Sequence, residues 1–140
     1  RLSRGLGDVY KRQGYHTLTH HGKDPEKASQ IQIIDRYYLT QLGSFVDRLK
    51  RMKDRDGRPL LDSTVVLFGS GMGNASSHSS RDVPVLVAGG GLKHGRHHSF
   101  PKDGNNGTPL SNLYVTLLRQ FGVETDQFAS SGGDLDHLLS

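Results

Sequence analysis

Histidine is the residue type in this chain that points most directly to chemistry. The chain has eight histidines and no cysteine. Imidazole is the commonest metal ligand in proteins and a common acid or base near neutral pH. His16 and His20 lie four residues apart, so a turn or a loop can direct both rings at one ion. A hydrolytic zinc site commonly takes three protein ligands and keeps a fourth position open. Spacing alone leaves two interpretations of each histidine open: a metal ligand or an ordinary surface residue.

A glycine-rich run, Gly69-Ser70-Gly71-Met72-Gly73, carries a weaker signal. It follows an apolar segment, but no helical pattern comes after it and no Lys-Ser or Lys-Thr closes a phosphate-binding loop. The Gly-x-Ser-x-Gly pattern of a nucleophilic serine is also absent, which argues against Ser70 as a nucleophile. The lack of cysteine excludes a thiolate nucleophile, a disulfide scaffold and a cysteine-based zinc finger.

A cationic stretch follows the second apolar segment and contains Arg96, His97 and His98. We interpret these three residues as substrate-binding, because a group of cations can hold phosphate, sulfate or carboxylate. The alternative is a solvated loop.

The helices and strands that must position these residues can be predicted from local pattern. Asp24 can cap a helix that has Pro25 at its first position. One apolar stripe then continues to Met52 and predicts a helix over Glu26–Lys53. Its members are Ile31, Ile34, Tyr38, Leu42, Phe45, Leu49 and Met52.

Two short apolar runs predict buried strands at Thr64–Phe68 and Pro84–Ala88. A second helix is predicted over Ser111–Phe121, and polar loops over Gly14–Pro25 and Lys93–Gly107. This alternation of strands and helices predicts an α/β layered fold.

The charge of the chain depends strongly on its first thirteen residues. Its 140 residues include 18 lysines and arginines against 14 aspartates and glutamates, a formal charge of +4. Residues 1–13 carry four basic side chains against one acidic one, which leaves +1 on the remainder. Since nucleic-acid binding needs a clustered basic face, we expect no nucleic-acid partner. No run of 18 apolar residues is present, so we expect no membrane span.

The segment Arg1–Gln13 resembles foreign sequence. Its last six residues, Asp8-Val9-Tyr10-Lys11-Arg12-Gln13, are similar to translated read-through of a sequencing adapter. We therefore exclude residues 1–13 from fold reasoning. We expect the natural protein to start at or before Gly14, and residues 14–140 to be the C-terminal fragment of a larger domain.

Several motifs together resemble the bacterial HXXSHH family, a group of unknown function. His16-Thr17-Leu18-Thr19-His20-His21 is similar to the family signature, with Thr19 keeping the hydroxyl of the family's serine. The resemblance covers Gly14–Leu139. Its other stretches are Gly71–Asn74, Ser77–Ser79, Asp82–Gly91 and the ending from Pro109 to Val123.

This family in turn resembles the alkaline phosphatase-like superfamily. The resemblance implies an α/β sandwich with a mostly parallel sheet flanked by helices, of which this chain would form the C-terminal part. The superfamily places a ligand pair, a long helix, a buried strand and a last ligand histidine in that order. The matching order here implies a metal site at His16, His20 and His78, with a divalent ion such as zinc as cofactor. His21 would then either support a ligand histidine or lie on the surface.

One position departs from the superfamily pattern. Gly71-Met72 stands where the superfamily has Asp-His after the strand, and neither residue is a hard-metal ligand. Superfamily sites often hold two metals, so the resemblance implies that one of them is lost or rebuilt. Three histidines on one zinc would still lower the pKa of bound water to about 7. The superfamily's nucleophile belongs to its N-terminal half, outside this chain.

Two functions follow from these observations. The first is part of a metal-dependent hydrolase that acts on a phosphate, sulfate or related ester, its substrate being an anionic small molecule or polymer. The second is a non-catalytic binding or scaffold domain that retains the fold but has lost a metal site, which Gly71-Met72 favours. The absence of cysteine is compatible with the cell envelope or periplasm.

Overall fold

The structure is a computed structural model that describes residues 14–100 and 107–138. The adapter-like segment Arg1–Gln13 and part of the predicted loop Lys93–Gly107 lie outside the described residues. The described chain divides into two units. The N-terminal unit comprises residues 14–60 and 66–87, and the C-terminal unit comprises residues 61–65, 88–100 and 107–138.

The predicted polar loop Gly14–Pro25 is wrong in its first part, which forms a short helix, α1 (Tyr15–Thr19). Leu18 lies on α1 and is completely buried. The Thr19 hydroxyl donates to the carbonyl oxygen of His16 at 2.7 Å, which closes the turn. One buried leucine among polar neighbours gives no periodic pattern, so the sequence did not predict this helix.

The long amphipathic helix is confirmed as α2 (Pro25–Arg51). Its predicted cap is present, because the Asp24 carboxylate accepts the backbone N–H groups of Glu26 and Lys27 at 2.9 and 3.3 Å. Ile34 is buried, while other members of the apolar stripe stay half exposed, among them Tyr38, Phe45 and Met52.

Both predicted strands are present, as β1 (Val65–Gly69) and β2 (Val85–Gly89), but both are only partly buried. They pair as a two-stranded antiparallel sheet. The predicted sandwich with a mostly parallel sheet is therefore wrong for the described residues. Parallel neighbours need a crossover, usually helical, and the segment between β1 and β2 instead turns back on itself through an antiparallel bridge from Asn74 to Ser79.

The C-terminal unit is organised around α3 (Ser111–Gln120), which confirms the second predicted helix to within one residue. Short 3₁₀ turns lie at Leu60–Ser63 and Asp136–Leu138. Among the described residues, no helix combines the length and the apolar character needed to cross a membrane. The buried apolar side chains of this unit are Leu92, Leu113, Val115, Leu117 and Leu135.

Candidate histidine cluster

The three histidines proposed as metal ligands lie side by side in the N-terminal unit. The ring centres of His16 and His20 are 4.6 Å apart, and those of His20 and His78 are 4.8 Å apart. Both pairs meet edge to face, at interplanar angles of 66° and 80°. We call His16, His20 and His78 the histidine cluster. Its central ring, His20, touches both of the others.

Helix α1 positions two members of the cluster. His16 lies on α1, and His20 is the residue that ends it, with its backbone N–H donating to the His16 carbonyl at 3.4 Å. A side chain four residues on in a helix returns to the same face, so the two rings become neighbours. The buried Leu18 and an edge-to-face contact between Tyr15 and Tyr38 fasten α1 against α2.

A tight turn carries the third member. The antiparallel bridge from Asn74 to Ser79 closes this turn, and the Asn74 carboxamide accepts the N–H of Ser77 at 3.2 Å. His78 itself has φ of 51°, in the left-handed region. Gly73 precedes the turn, and a Cβ at that position would overlap the carbonyl oxygen of Arg81. Glycine is therefore required there for the chain to approach this closely.

A hydrogen bond joins the turn to the segment after α1. The N–H of Gly22 donates to the Ser76 hydroxyl at 3.3 Å, across 54 positions of sequence. Gly22 comes two residues after His20, and Ser76 comes two residues before His78. No local pattern predicts this contact, so Ser76 is not identifiable from the sequence alone. The only local signal was the run of Asn and Ser typical of a turn.

The surroundings of His20 favour its neutral form. Partial desolvation lowers the pKa of the His20 imidazole below its ordinary value of 6.5, and the neighbouring His16 and His78 lower it further. A lowered pKa keeps the imidazole neutral down to a lower pH. The neutral form is the one that binds metals.

The donor set suits a divalent ion of the zinc type. Zinc binds imidazole nitrogen at about 2.0–2.1 Å, so two imidazoles on one tetrahedral ion have ring centres about 5 Å apart. Both measured separations in the cluster are close to that spacing. Within residues 14–100 and 107–138, however, no group of three His, Cys, Asp or Glu side chains is arranged so that it could hold a metal ion. The three rings are therefore in contact but are not arranged as a metal site.

His21, the possible support of a ligand histidine, has a local backbone contact. Its Nδ1 accepts the N–H of Lys23 at 3.2 Å. The neighbouring carbonyl of His21 accepts the N–H of Asp24 at 2.8 Å, which leads the chain into α2. These contacts shape the loop between the two helices, and a direct supporting role for the ring stays a prediction.

The predicted substrate-binding residues belong to the C-terminal unit. Arg96, His97 and His98 are exposed on a segment without helix or strand. The ring of His98 lies 6.3 Å from that of His137. Upstream, the N–H of Gly89 lies 3.1 Å from Nε2 of His94, which anchors the start of the segment. Exposed cations at this place can meet an anionic group, and this role stays a prediction.

The position that departs from the superfamily lies on the surface. Met72 is 42% exposed, and its backbone N–H donates to the Ser70 hydroxyl at 3.2 Å. The Ser70 hydroxyl thus accepts a bond from its own loop, an ordinary turn arrangement. Gly71 and Met72 supply no metal ligand here.

Comparison with protein-family models, with curated proteins and with solved structures returns no match to this chain. The resemblance to the HXXSHH family therefore stays a prediction based on its motifs.

Proposed function

We propose that the histidine cluster is a divalent-metal site and that the chain is part of a metal-dependent hydrolase of phosphate, sulfate or related esters. The observation that carries the proposal is the placement of three imidazole rings in consecutive contact, from segments far apart in sequence. A metal ion held by these histidines would supply Lewis acidity toward an ester oxygen. The chain's own part is to provide the imidazole nitrogens and to orient them.

The choice of metal follows from the ligand type. Imidazole nitrogen suits zinc, copper, iron and nickel, whereas magnesium and calcium prefer oxygen ligands. The cluster contains imidazoles alone, so zinc is the expected ion and magnesium is not.

Metal content of the folded protein tests this proposal. We expect about one equivalent of zinc in the wild type, measured by plasma mass spectrometry after dialysis. His78→Asn removes an imidazole and still tolerates the left-handed backbone at that position, so it should lose most of the metal. His97→Ala, an exposed histidine of the other unit, is the matched control and should keep it. Wild type that folds but holds no zinc, or His78→Asn that holds as much as wild type, would contradict the site.

Activity is the second step of the test. Zinc-loaded wild type should hydrolyse an aryl phosphate or an aryl sulfate, and His78→Asn should not. Zinc-loaded His97→Ala, the control that should keep the metal, should also hydrolyse the aryl ester. Loss of hydrolysis in a variant that keeps its zinc would contradict a role for the metal alone.

A second candidate, a binding or scaffold domain, is favoured by the exposed Gly71-Met72 position. It predicts that the folded protein hydrolyses no ester in the presence of zinc, cobalt or nickel.

A further inference from the structure

We infer that Ser76 is a positioning residue that holds His78 against His20 through its hydroxyl group. The hydroxyl accepts the N–H of Gly22 at 3.3 Å. Each end of this bond is two residues from a cluster histidine, so the bond joins the two chain segments next to the rings. Its consequence for metal binding rests on the function proposed above, whereas its consequence for ring contact does not.

Each of the two segments is shaped by its own local bonds. On the first, the His21 carbonyl accepts the N–H of Asp24 at 2.8 Å. On the second, Asn74 and Ser79 exchange backbone bonds of 2.9 and 3.4 Å across the turn. These bonds set the internal shape of each segment but not the distance between them. The Ser76–Gly22 bond acts on that distance directly.

The backbone around Gly22 is left-handed at two successive residues. Gly22 and Lys23 have φ values of 56° and 69°, both left-handed. Left-handed backbone is rare for residues other than glycine, asparagine and aspartate. Lys23 therefore carries local strain within a segment that presents the Gly22 N–H to Ser76. Loss of a group that orients a metal-binding histidine commonly weakens metal affinity by about 10- to 100-fold.

The ring contact can be tested in the metal-free protein. A nuclear Overhauser effect between imidazole protons of His20 and His78 should be present in wild type, since the ring centres are 4.8 Å apart. We expect Ser76→Ala to lose or strongly weaken it. Ser76→Thr keeps the hydroxyl and should retain it, and Ser77→Ala changes the neighbouring exposed serine and should also retain it. Helical circular dichroism should be equal in all four proteins.

Zinc affinity gives the second readout. Ser76→Ala should bind zinc about tenfold more weakly than wild type, the smaller end of the usual effect of such supporting groups, while Ser76→Thr and Ser77→Ala stay at the wild-type value. Unchanged ring contact in Ser76→Ala overturns the inference, as does loss of contact in Ser76→Thr. If wild type binds no zinc, the proposed function fails, and the ring contact alone still decides the role of Ser76.

Discussion

Arg119 in the C-terminal unit and the histidine cluster in the N-terminal unit are held in opposite ways. The Arg119 guanidinium donates to three carboxylates at 2.7–2.9 Å, those of Asp126, Asp134 and Asp136. The cluster is held by ring contacts and by one uncharged hydrogen bond, from the Gly22 N–H to the Ser76 hydroxyl. One region gathers opposite charges, and the other gathers three groups that repel one another when protonated.

This difference separates a structural network from a candidate binding site. Charge-assisted bonds satisfy both partners of an ion pair and leave little for a ligand to add. Among residues 14–100 and 107–138, no ion pair joins a ring of the cluster to a carboxylate. The proposed metal site would use the nitrogen lone pairs of imidazoles that have no anionic partner.

The largest loss of stability is expected for Thr116→Val, next to the carboxylates that bind Arg119. The fully buried Thr116 hydroxyl donates to Asp136 at 2.8 Å and accepts the N–H of Leu135 at 2.7 Å. Valine keeps the shape but leaves that N–H unpaired, which should destabilise the unit by about 2–3 kcal/mol. Hydrogen exchange of the α3 amides measures the loss of local stability. Thr40→Val, at an exposed position of α2, is the control and is measured at the α2 amides. It should lose well under half as much local stability, and an equal loss would contradict the assignment.

The second prediction acts on the turn that carries His78. Gly73→Ala places a Cβ against the carbonyl oxygens of Arg81 and Asp82, so the turn must shift. We expect a loss of about 1–2 kcal/mol in local stability, together with weaker ring contact at His78. Gly71→Ala is the matched control, since nothing lies within 4 Å of its Cβ. The chemical shifts of the His78 ring protons should change in Gly73→Ala and stay at their wild-type values in Gly71→Ala.

The third prediction concerns the start of α2, which follows His20 by a few residues. Asp24→Ala removes the acceptor of the Glu26 and Lys27 N–H groups and should cost about 1 kcal/mol. Asp24→Asn keeps an oxygen acceptor and should cost less. Thermal unfolding followed by helical circular dichroism ranks the two. Equal losses would show that the charge of Asp24, which both variants remove, outweighs its capping bond.

The smallest effect is a difference in pH response. Because the pKa of His20 is below 6.5 in the folded chain, the unfolded chain binds that proton first. Stability from His20 is therefore complete above pH 6.5 and is lost as the pH falls through the lower folded pKa. The pKa of Asp134 is held below 3.8, mainly by the backbone N–H of Asp136 and also by Arg119. Its contribution is present above pH 3.8 and is lost only as the pH falls through the lower folded value.

Acid titration followed residue by residue checks this order. Protection of the α1 and Ser76 amides should decline at a higher pH than protection of the α3 amides. His20→Ala should remove the earlier change and leave the later one. Loss of amide protection at the same pH in both units would contradict the expected order.

Local patterns predicted the single elements well, and long-range contacts decided the rest. The Asp24-Pro25 start and the apolar stripe were enough for α2, because capping and periodicity are properties of neighbouring residues. The predicted direction of β2 relative to β1 was wrong, because that direction depends on how residues 70–84 fold back. The contact between His20 and His78 was suggested by motif order alone. Its physical link, the Ser76–Gly22 bond, spans 54 positions and leaves no periodic signal.

The two-stranded sheet has a consequence for handling the protein. Within the part of the chain that the structure describes, the sheet has two strands, so each is an edge strand with one row of N–H and C=O groups turned away from its partner. Leu67 and Leu86, one on each strand, are 37% and 51% exposed. Short apolar edges of this kind template intermolecular pairing. Turbidity and light scattering should therefore rise with protein concentration on storage, and Leu86→Lys should slow that rise.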